Sequence, residues 1–263
     1  SFETFVRDLE SDLQRQGASH TMAQGQTAIL VSASPKSKAE QEEHLAELAE
    51  LASSADLTVI DRLVQRTQSG HHRFQLGSGK LKDVLMQAMQ NGADLLIFDQ
   101  DLAPGQLRAI AEITDLTVID RTQLILDIFA QRAHSREGKV QVELAQLRYL
   151  LPRLSGQGTS LSRLGGGIGS RGPGETKLET DRRRIRERID YLEREIEGFA
   201  RHQDQRRSRR VRQDFPVLSI VGYTNAGKST LLNVLTKSQV STAPRVFETL
   251  DTTSRRLRFP HGR

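Results

Sequence analysis

The residues whose spacing most clearly indicates chemistry form an octapeptide that begins at Gly222 and fits the pattern G-x-x-x-x-G-K-[ST]. In a phosphate-binding loop of this pattern, backbone N–H groups surround a phosphate and the lysine supplies charge to the outer phosphates. The hydroxyl that follows the lysine ligates Mg²⁺. We therefore predict a nucleotide-binding segment made of Gly222, Tyr223, Thr224, Asn225, Ala226, Gly227, Lys228, Ser229 and Thr230. Within it, Lys228 is the candidate catalytic cation and Ser229 the candidate metal ligand.

The elements on either side of the octapeptide decide how specific the motif is. An apolar run, 217–221, predicts a strand before it, and the pattern of 230–235 predicts an amphipathic helix after it. A phosphate loop needs this strand–loop–helix frame. The alternative, a glycine-rich turn in an ordinary α/β unit, is disfavoured by the same frame.

A threonine-rich segment follows the octapeptide after about 20 residues, and another strand is predicted to begin at Arg256. Taken alone, such a polar segment is more often only a turn. It resembles the switch of a GTPase, in which a threonine closes on Mg²⁺ and the γ-phosphate. The residues that we assign to nucleotide binding on this basis are Phe247, Glu248, Thr249, Leu250 and Asp251.

A second distinctive segment, 155–175, holds eight of the 20 glycines of the chain. It has almost no side chains to bury, so it cannot form a core. Its backbone N–H groups and arginines could lie along an RNA phosphate backbone, or it could hold a second nucleotide, or it could be a flexible linker. The candidate RNA-binding residues in and after it are Arg163, Gly165, Gly166, Gly167, Arg171, Lys177, Arg182 and Arg183.

Apolar residues on both sides of this segment recur every three or four positions, from Val140 to Leu154 and from Leu178 to Phe199. Such seams predict two helices packed on each other, which a single loop joins into an antiparallel hairpin. The arginines of 182–188 could form a solvated face paired with glutamates, but their surplus favours nucleic acid. Residues 201–212 are expected to be a basic linker of low hydrophobicity.

The first half of the chain predicts an α/β domain with a parallel sheet, because short strands alternate with helices. The strands are expected at 28–32, 57–60, 94–99 and 116–119. One helix is expected around Leu45, Leu48 and Leu51, which would share its apolar face, and two more are expected at 81–89 and 104–113. The hexapeptide Leu-Thr-Val-Ile-Asp-Arg occurs twice, which places Asp61 and Asp120 at expected strand ends, where we favour turn residues over ligands. We also read the group from Gly77 to Lys80 as the start of a helix rather than as a second phosphate site.

Charge is divided unevenly along the chain. Residues 1–150 have 15 Lys and Arg against 21 Asp and Glu, a net −6, whereas 151–263 have 23 against 12, a net +11. This asymmetry indicates a polyanionic partner for the second half. The absence of cysteine excludes disulfides, thiolate zinc sites and a cysteine nucleophile. No apolar run is long enough for a membrane helix, so we expect a soluble, cytoplasmic protein.

Three stretches together resemble the HflX family of GTPases: the octapeptide with Thr230, the segment 165–183, and 118–147. The resemblance covers about residues 28–263. It implies an N-terminal α/β domain, a helical hairpin and a Ras-like GTPase domain, which matches the order expected from the residues. We place these at 27–136, 137–214 and 215–263, after an extension at 1–26.

The resemblance also implies an activity. Members of the family bind GTP or GDP with Mg²⁺, bind the large ribosomal subunit and can dissociate stalled ribosomes, with the hairpin loop directed at the rRNA. On this basis we expect the protein to be a monomer when it is not bound to the ribosome. The family pattern F-A-T-L-D-P-T aligns with 247–253 and makes Thr249 the second Mg²⁺ ligand and a catalytic candidate, with departures at Glu248 and Thr252. Asn225 matches an asparagine that supports a monovalent cation in some related GTPases.

Two alternatives to a GTPase switch remain open from the residues. One is an RNA-binding module that ignores nucleotide, and the other is a P-loop ATPase. The chain ends before the Asp-x-x-Gly and Asn-Lys-x-Asp loops of the family, so we expect it to be part of a longer protein and, alone, to bind nucleotide weakly.

Overall fold

The computed structural model describes residues 25–67, 74–154, 177–212, 217–222, 226–238 and 253–255. The chain divides into two compact units, with the division between Ile128 and Phe129. We call them the N-terminal unit and the C-terminal unit. The domain bounds expected from the sequence remain predictions.

The N-terminal unit contains the parallel sheet that the sequence predicts. Its elements in chain order are β1 (Thr27–Ser34), α1 (Lys38–Ser54), β2 (Thr58–Arg66), α2 (Ser78–Gln90), β3 (Leu95–Phe98), α3 (Pro104–Ala111), β4 (Thr117–Asp120) and the start of α4 (Arg121–Arg132). The strand order is β2-β1-β3-β4 and every pair is parallel. Each strand returns through a helix, as parallel pairing requires.

The sheet is covered on both faces. From Ala28 to Ser34, β1 is buried without interruption, which is typical of a central parallel strand. Ile29, Val31 and Phe98 form a core with Leu81 of α2 and Ile110 of α3. Of the two edge strands, β2 is half-exposed and β4 is buried.

Local sequence explains where two of the helices begin. Ser37 precedes α1, and its hydroxyl accepts a hydrogen bond from the Glu40 N–H while the Glu40 carboxylate accepts one from the Ser37 N–H. This reciprocal cap satisfies two N–H groups at the helix start. Pro104 stands at the first position of α3, where its missing N–H costs nothing.

β2 is longer than the expected strand at 57–60. It pairs with β1 from Thr58 to Arg66, which lies opposite Ser34, with a register shift that leaves Ile60 without a partner on β1. As a result Asp61 lies inside the strand, opposite Ile29, and the expectation of a strand-end residue there is wrong. Asp120 is the last residue of β4 as expected, and its carboxylate accepts hydrogen bonds from the N–H groups of Leu102 and Gln123.

The C-terminal unit contains the predicted antiparallel hairpin, formed by α5 (Arg136–Arg153) and α6 (Lys177–Arg212). Arg136 pairs with Glu195, whereas Glu143, further along α5, pairs with Arg188, earlier on α6. Partners that run in opposite order define antiparallel helices. The buried seam includes Val140, Leu144, Ile185, Ile189 and Leu192.

The expected linker at 201–212 is instead the continuation of α6. The segment lacks glycine and proline, and arginine and glutamine are good helix formers. Low hydrophobicity was therefore the wrong criterion for a linker.

Candidate phosphate-binding site

The second glycine of the octapeptide has the backbone geometry that a phosphate loop requires. Gly227 has φ +80° and ψ 12°, in the left-handed region, and it directly precedes α7 (Lys228–Thr236). A side chain at this position would be strained, so the motif requires glycine here for conformational reasons. The first helical bond runs from the Leu231 N–H to the Gly227 carbonyl, at 2.9 Å.

The two ends of the octapeptide lie against each other. A Cβ placed on Gly222 would lie 3.7 Å from the Ala226 Cβ and 3.7 Å from the Lys228 Cδ. The aliphatic part of Lys228 therefore passes beside the first glycine. This closure is what a loop that surrounds a phosphate group needs.

The start of α7 supplies the electrostatics of the site. The first N–H groups of any α-helix point along its axis toward its N-terminus, where they add a partial positive charge. Lys228 and Ser229 occupy the first two helical positions and are half-buried, while Thr230 is exposed. The lysine charge, a hydroxyl and the helix start thus come together at one place, an arrangement suited to phosphate groups.

The predicted helix after the loop is confirmed, but the predicted strand before it is wrong for the described residues. Residues 217–222 form no strand, and none of the described residues pairs with them in a ladder. A strand exists only with a hydrogen-bonding neighbour, which an apolar β-branched run cannot supply by itself. Val217, Leu218 and Val221 are exposed, as are Leu231 and Val234 of α7.

Several predicted site residues lie outside the described residues. They are Tyr223, Thr224 and Asn225 of the octapeptide, Phe247, Glu248, Thr249, Leu250 and Asp251 of the threonine segment, and Arg163, Gly165, Gly166, Gly167 and Arg171 of the glycine-rich segment. Their assignments remain predictions. Lys177 is the first residue of α6.

The two arginines predicted to bind RNA at the start of α6 differ in their surroundings. Arg182 is half-buried, and its Nε is buried without a hydrogen-bond partner. Arg183 is exposed and lies 3.7 Å from the Glu187 carboxylate, one turn away. Arg183 therefore also fits the alternative of a solvated, paired face.

A polar cluster that the sequence reading missed lies in the N-terminal unit. The Arg121 guanidinium donates to Asp99 at 2.9 Å and to Glu47 at 2.6 Å, and His44 Nδ1 lies 3.5 Å from Asp99. Burial alone would lower the pKa of Arg121, but the hydrogen bonds to Glu47 and Asp99 outweigh it and raise that pKa. Asp99 and Arg121 each directly follow a strand, and that position was the available signal.

The cluster lies where the strand order reverses, between β1 and β3, which is where open α/β sheets bind ligands. Its charges already compensate one another, and Asp99 also accepts from the Gln100 amide at 2.9 Å. The arrangement joins α1, β3 and α4 and so fits a structural role. Among the described residues, no group of three acidic, histidine or cysteine side chains is suited to a metal ion.

Within the described part of the chain, no helix combines the length and the apolar character that crossing a bilayer would take.

Three family models match the chain in succession. Residues 42–130 match the model described as GTP-binding GTPase N-terminal, and 132–210 match GTP-binding GTPase Middle Region. Residues 217–263 match 50S ribosome-binding GTPase.

Curated relatives agree with these models. The GTPase HflX of Alkalihalophilus pseudofirmus is 51% identical over 223 residues, which are 85% of this chain and 53% of the relative. The GTPase HflX of Escherichia coli is 46% identical over 215 residues, 82% of this chain and 50% of the relative. The chain thus spans about half the length of the curated relatives that it matches.

Among solved structures, a complex of SsGBP and GDP superposes with a TM-score of 0.51 at 24% identity, covering 84% of this chain and 60% of that one. This likeness supports the fold.

Proposed function

This chain belongs to the HflX family of GTPases, and from that premise we propose that the protein binds and hydrolyses GTP to control its attachment to the large ribosomal subunit. The observation that carries the proposal is the geometry of the phosphate loop, with Gly227 in the left-handed region and Lys228 at the helix start. The match of 217–263 to the 50S ribosome-binding GTPase model supports the ribosomal partner.

The residues of the loop have distinct roles in this proposal. Lys228 neutralises charge on the outer phosphates, and the N–H groups at the start of α7 orient them. Ser229 stands at the second position of α7, where its hydroxyl would hold Mg²⁺, with Thr249 as the second ligand implied by the family pattern. Mg²⁺, when bound, neutralises charge that develops on the phosphate oxygens.

The hairpin is the proposed ribosome-binding element. α5 and α6 hold the two ends of the glycine-rich segment together, and the charge of the chain from 151 onward is +11. We propose that Arg163, Gly165, Gly166, Gly167 and Arg171 contact rRNA, and that nucleotide state decides how firmly they do so. Dissociation of stalled ribosomes would follow from such attachment.

Nucleotide binding is tested by replacing Lys228 with alanine in the intact protein and measuring the affinity for a fluorescent GTP analogue with Mg²⁺. Loss of one charged phosphate contact should weaken binding at least tenfold, since hydrogen bonds to charged groups contribute about 1.5–3 kcal/mol. Lys237→Ala, at the other end of α7, is the matched control, because Lys237 is exposed and lies beyond the helix.

Equal affinities of the Lys228→Ala variant and the wild type would contradict the proposed site. Competition by unlabelled ATP distinguishes the alternative activity. Displacement of the analogue by ATP as efficiently as by GTP would favour the P-loop ATPase.

A further inference from the structure

The helix α6 continues past the helix on which it packs. The side-chain amide of Gln203 donates to the Glu137 carboxylate at 2.8 Å, and α5 begins one residue before Glu137. Residues 204–212 therefore extend beyond the start of α5. At 1.5 Å per residue this is about 14 Å of helix. We call residues 204–212 the arginine segment.

The composition of the arginine segment is strongly one-sided. It contains five arginines, one acidic residue (Asp204) and no lysine. An exposed helix that needs only solubility usually mixes both signs of charge. Every cationic residue of the segment is an arginine. This favours phosphate binding, because the planar guanidinium matches phosphate oxygens with two parallel hydrogen bonds.

Ion pairing differs sharply along the hairpin. Nearer the glycine-rich segment, Arg188 binds Glu143 with two hydrogen bonds, of 2.7 and 2.9 Å, and Arg148 binds Glu193 at 2.6 Å. In the arginine segment, Arg206, Arg207, Arg209 and Arg212 are exposed, and within the described part of the chain no carboxylate pairs with any of them. Their charge is thus not compensated by the hairpin.

The arginines are distributed around the helix in a way that fits a polyanion in contact with more than one of its faces. At 3.6 residues per turn, Arg212, Arg209, Arg206 and Arg207 are spread over roughly 220° of the helix circumference. Attraction to the helix C-terminus would explain basic residues only in the last turn. Arg206 and Arg207 precede that turn, so the helix dipole does not account for them.

We propose that the arginine segment is a second RNA-binding surface, which binds the phosphate backbone of structured RNA independently of the glycine-rich segment. The proposal rests on the proposed function for the identity of the RNA as rRNA. The segment has no aromatic residue on which a base could stack. It therefore binds without sequence preference and with a steep dependence on salt.

The test replaces Arg206, Arg207, Arg209 and Arg212 with glutamine in the intact protein. Glutamine keeps helix propensity and removes charge. Binding to a fluorescein-labelled 20-base-pair RNA duplex is followed by anisotropy over a KCl titration. Each lost phosphate contact lowers the slope of log affinity against log salt by about 0.7–0.9, so we expect a decrease of about 3 and an affinity at least about tenfold weaker at low salt.

A matched control removes the same amount of charge from exposed positions of the N-terminal unit, Lys38, Arg62, Arg66 and Lys82, which all become glutamine. The control should bind the duplex within about twofold of the wild type. A fourth protein, with lysine in place of the four arginines, should keep the salt slope. Circular dichroism verifies the helix content of each variant.

Three results would overturn the proposal: a glutamine variant that binds like the control, a lysine variant whose salt slope falls as far as that of the glutamine variant, or poly-glutamate that competes as well as RNA. Competition by poly-glutamate would indicate that the arginine segment binds an acidic protein instead. Sedimentation of the wild type with large ribosomal subunits separates this inference from the proposed function. Failure to sediment contradicts the ribosomal role, whereas the duplex titration alone decides the role of the arginine segment.

Discussion

At the scale of single residues, the phosphate loop depends on one backbone conformation. Gly227 allows the chain to turn through the left-handed region and enter α7 at once, so that Lys228 stands at the helix start. Apart from its two neighbours in the chain, none of the described residues places a heavy atom within 4 Å of the position that a Cβ would take. The need for glycine is therefore conformational and not steric.

This predicts the effect of Gly227→Ala. The left-handed backbone costs a non-glycine residue about 1–2 kcal/mol, so the variant should either lose about that stability around α7 or relax the loop and bind nucleotide at least tenfold more weakly. Urea unfolding and titration with a fluorescent GTP analogue measure the two outcomes. Gly198→Ala in α6, where φ is ordinary, should instead stabilise the hairpin by about 0.5–1 kcal/mol. Identical behaviour of the two variants would contradict this account.

Individual residues also show how far sequence reasoning reaches. The octapeptide motif correctly indicates a left-handed backbone at Gly227 and a helix that begins at Lys228, because the motif itself encodes that conformation. The roles of these residues in nucleotide binding remain predictions. Asp61 and Asp120 stand in identical hexapeptides, yet one lies within β2 and the other ends β4. The difference comes from pairing with β1, which is a long-range property that the hexapeptide does not contain.

At the scale of elements, ion pairs join α5 and α6 in addition to the apolar seam. Arg188 and Glu143 form a bidentate pair whose side chains are 26% and 33% exposed. The hydrogen bond to Glu143 raises the pKa of Arg188. A partly buried, bidentate pair is stronger than a solvated one.

A double-mutant cycle tests this ranking. Replacing Arg188 and Glu143 with glutamine, singly and together, should give a coupling energy of about 1 kcal/mol in urea unfolding. The same cycle at Arg183 and Glu187, an exposed pair within α6, should give about 0.3 kcal/mol. Equal coupling energies at the two pairs would show that the bidentate contact adds nothing.

The elements that the sequence predicted best are those with a strong local signal. β1, β3, β4, α2 and α3 lie within a few residues of their expected positions, whereas β2 extends six residues further than expected. The apolar seam predicted the hairpin. Two segments were misjudged for opposite reasons. Residues 201–212 are helical because of propensity without hydrophobicity, and 217–221 are apolar but lack a pairing strand among the described residues.

At the scale of the whole molecule, the net charge changes from negative to positive along the chain, and the three family models follow one another in the same direction. The net −6 of the first 150 residues lies mainly with the N-terminal unit, whose polar cluster around Asp99 is internally compensated. The net +11 of the remainder includes the glycine-rich segment, the arginine segment and the phosphate loop. The three family models follow the same order along the chain.

The central claim is that nucleotide at the phosphate loop controls attachment to the large ribosomal subunit, and sedimentation tests it most directly. The intact protein would be spun with purified large subunits in the presence of a non-hydrolysable GTP analogue, GDP or no nucleotide. We predict several-fold more bound wild-type protein with the analogue than with GDP. In every condition, the Lys228→Ala variant should bind the large subunit at the level that the wild type shows without nucleotide. Equal binding of the wild type in all three states would contradict the claim and leave an RNA-binding module that ignores nucleotide.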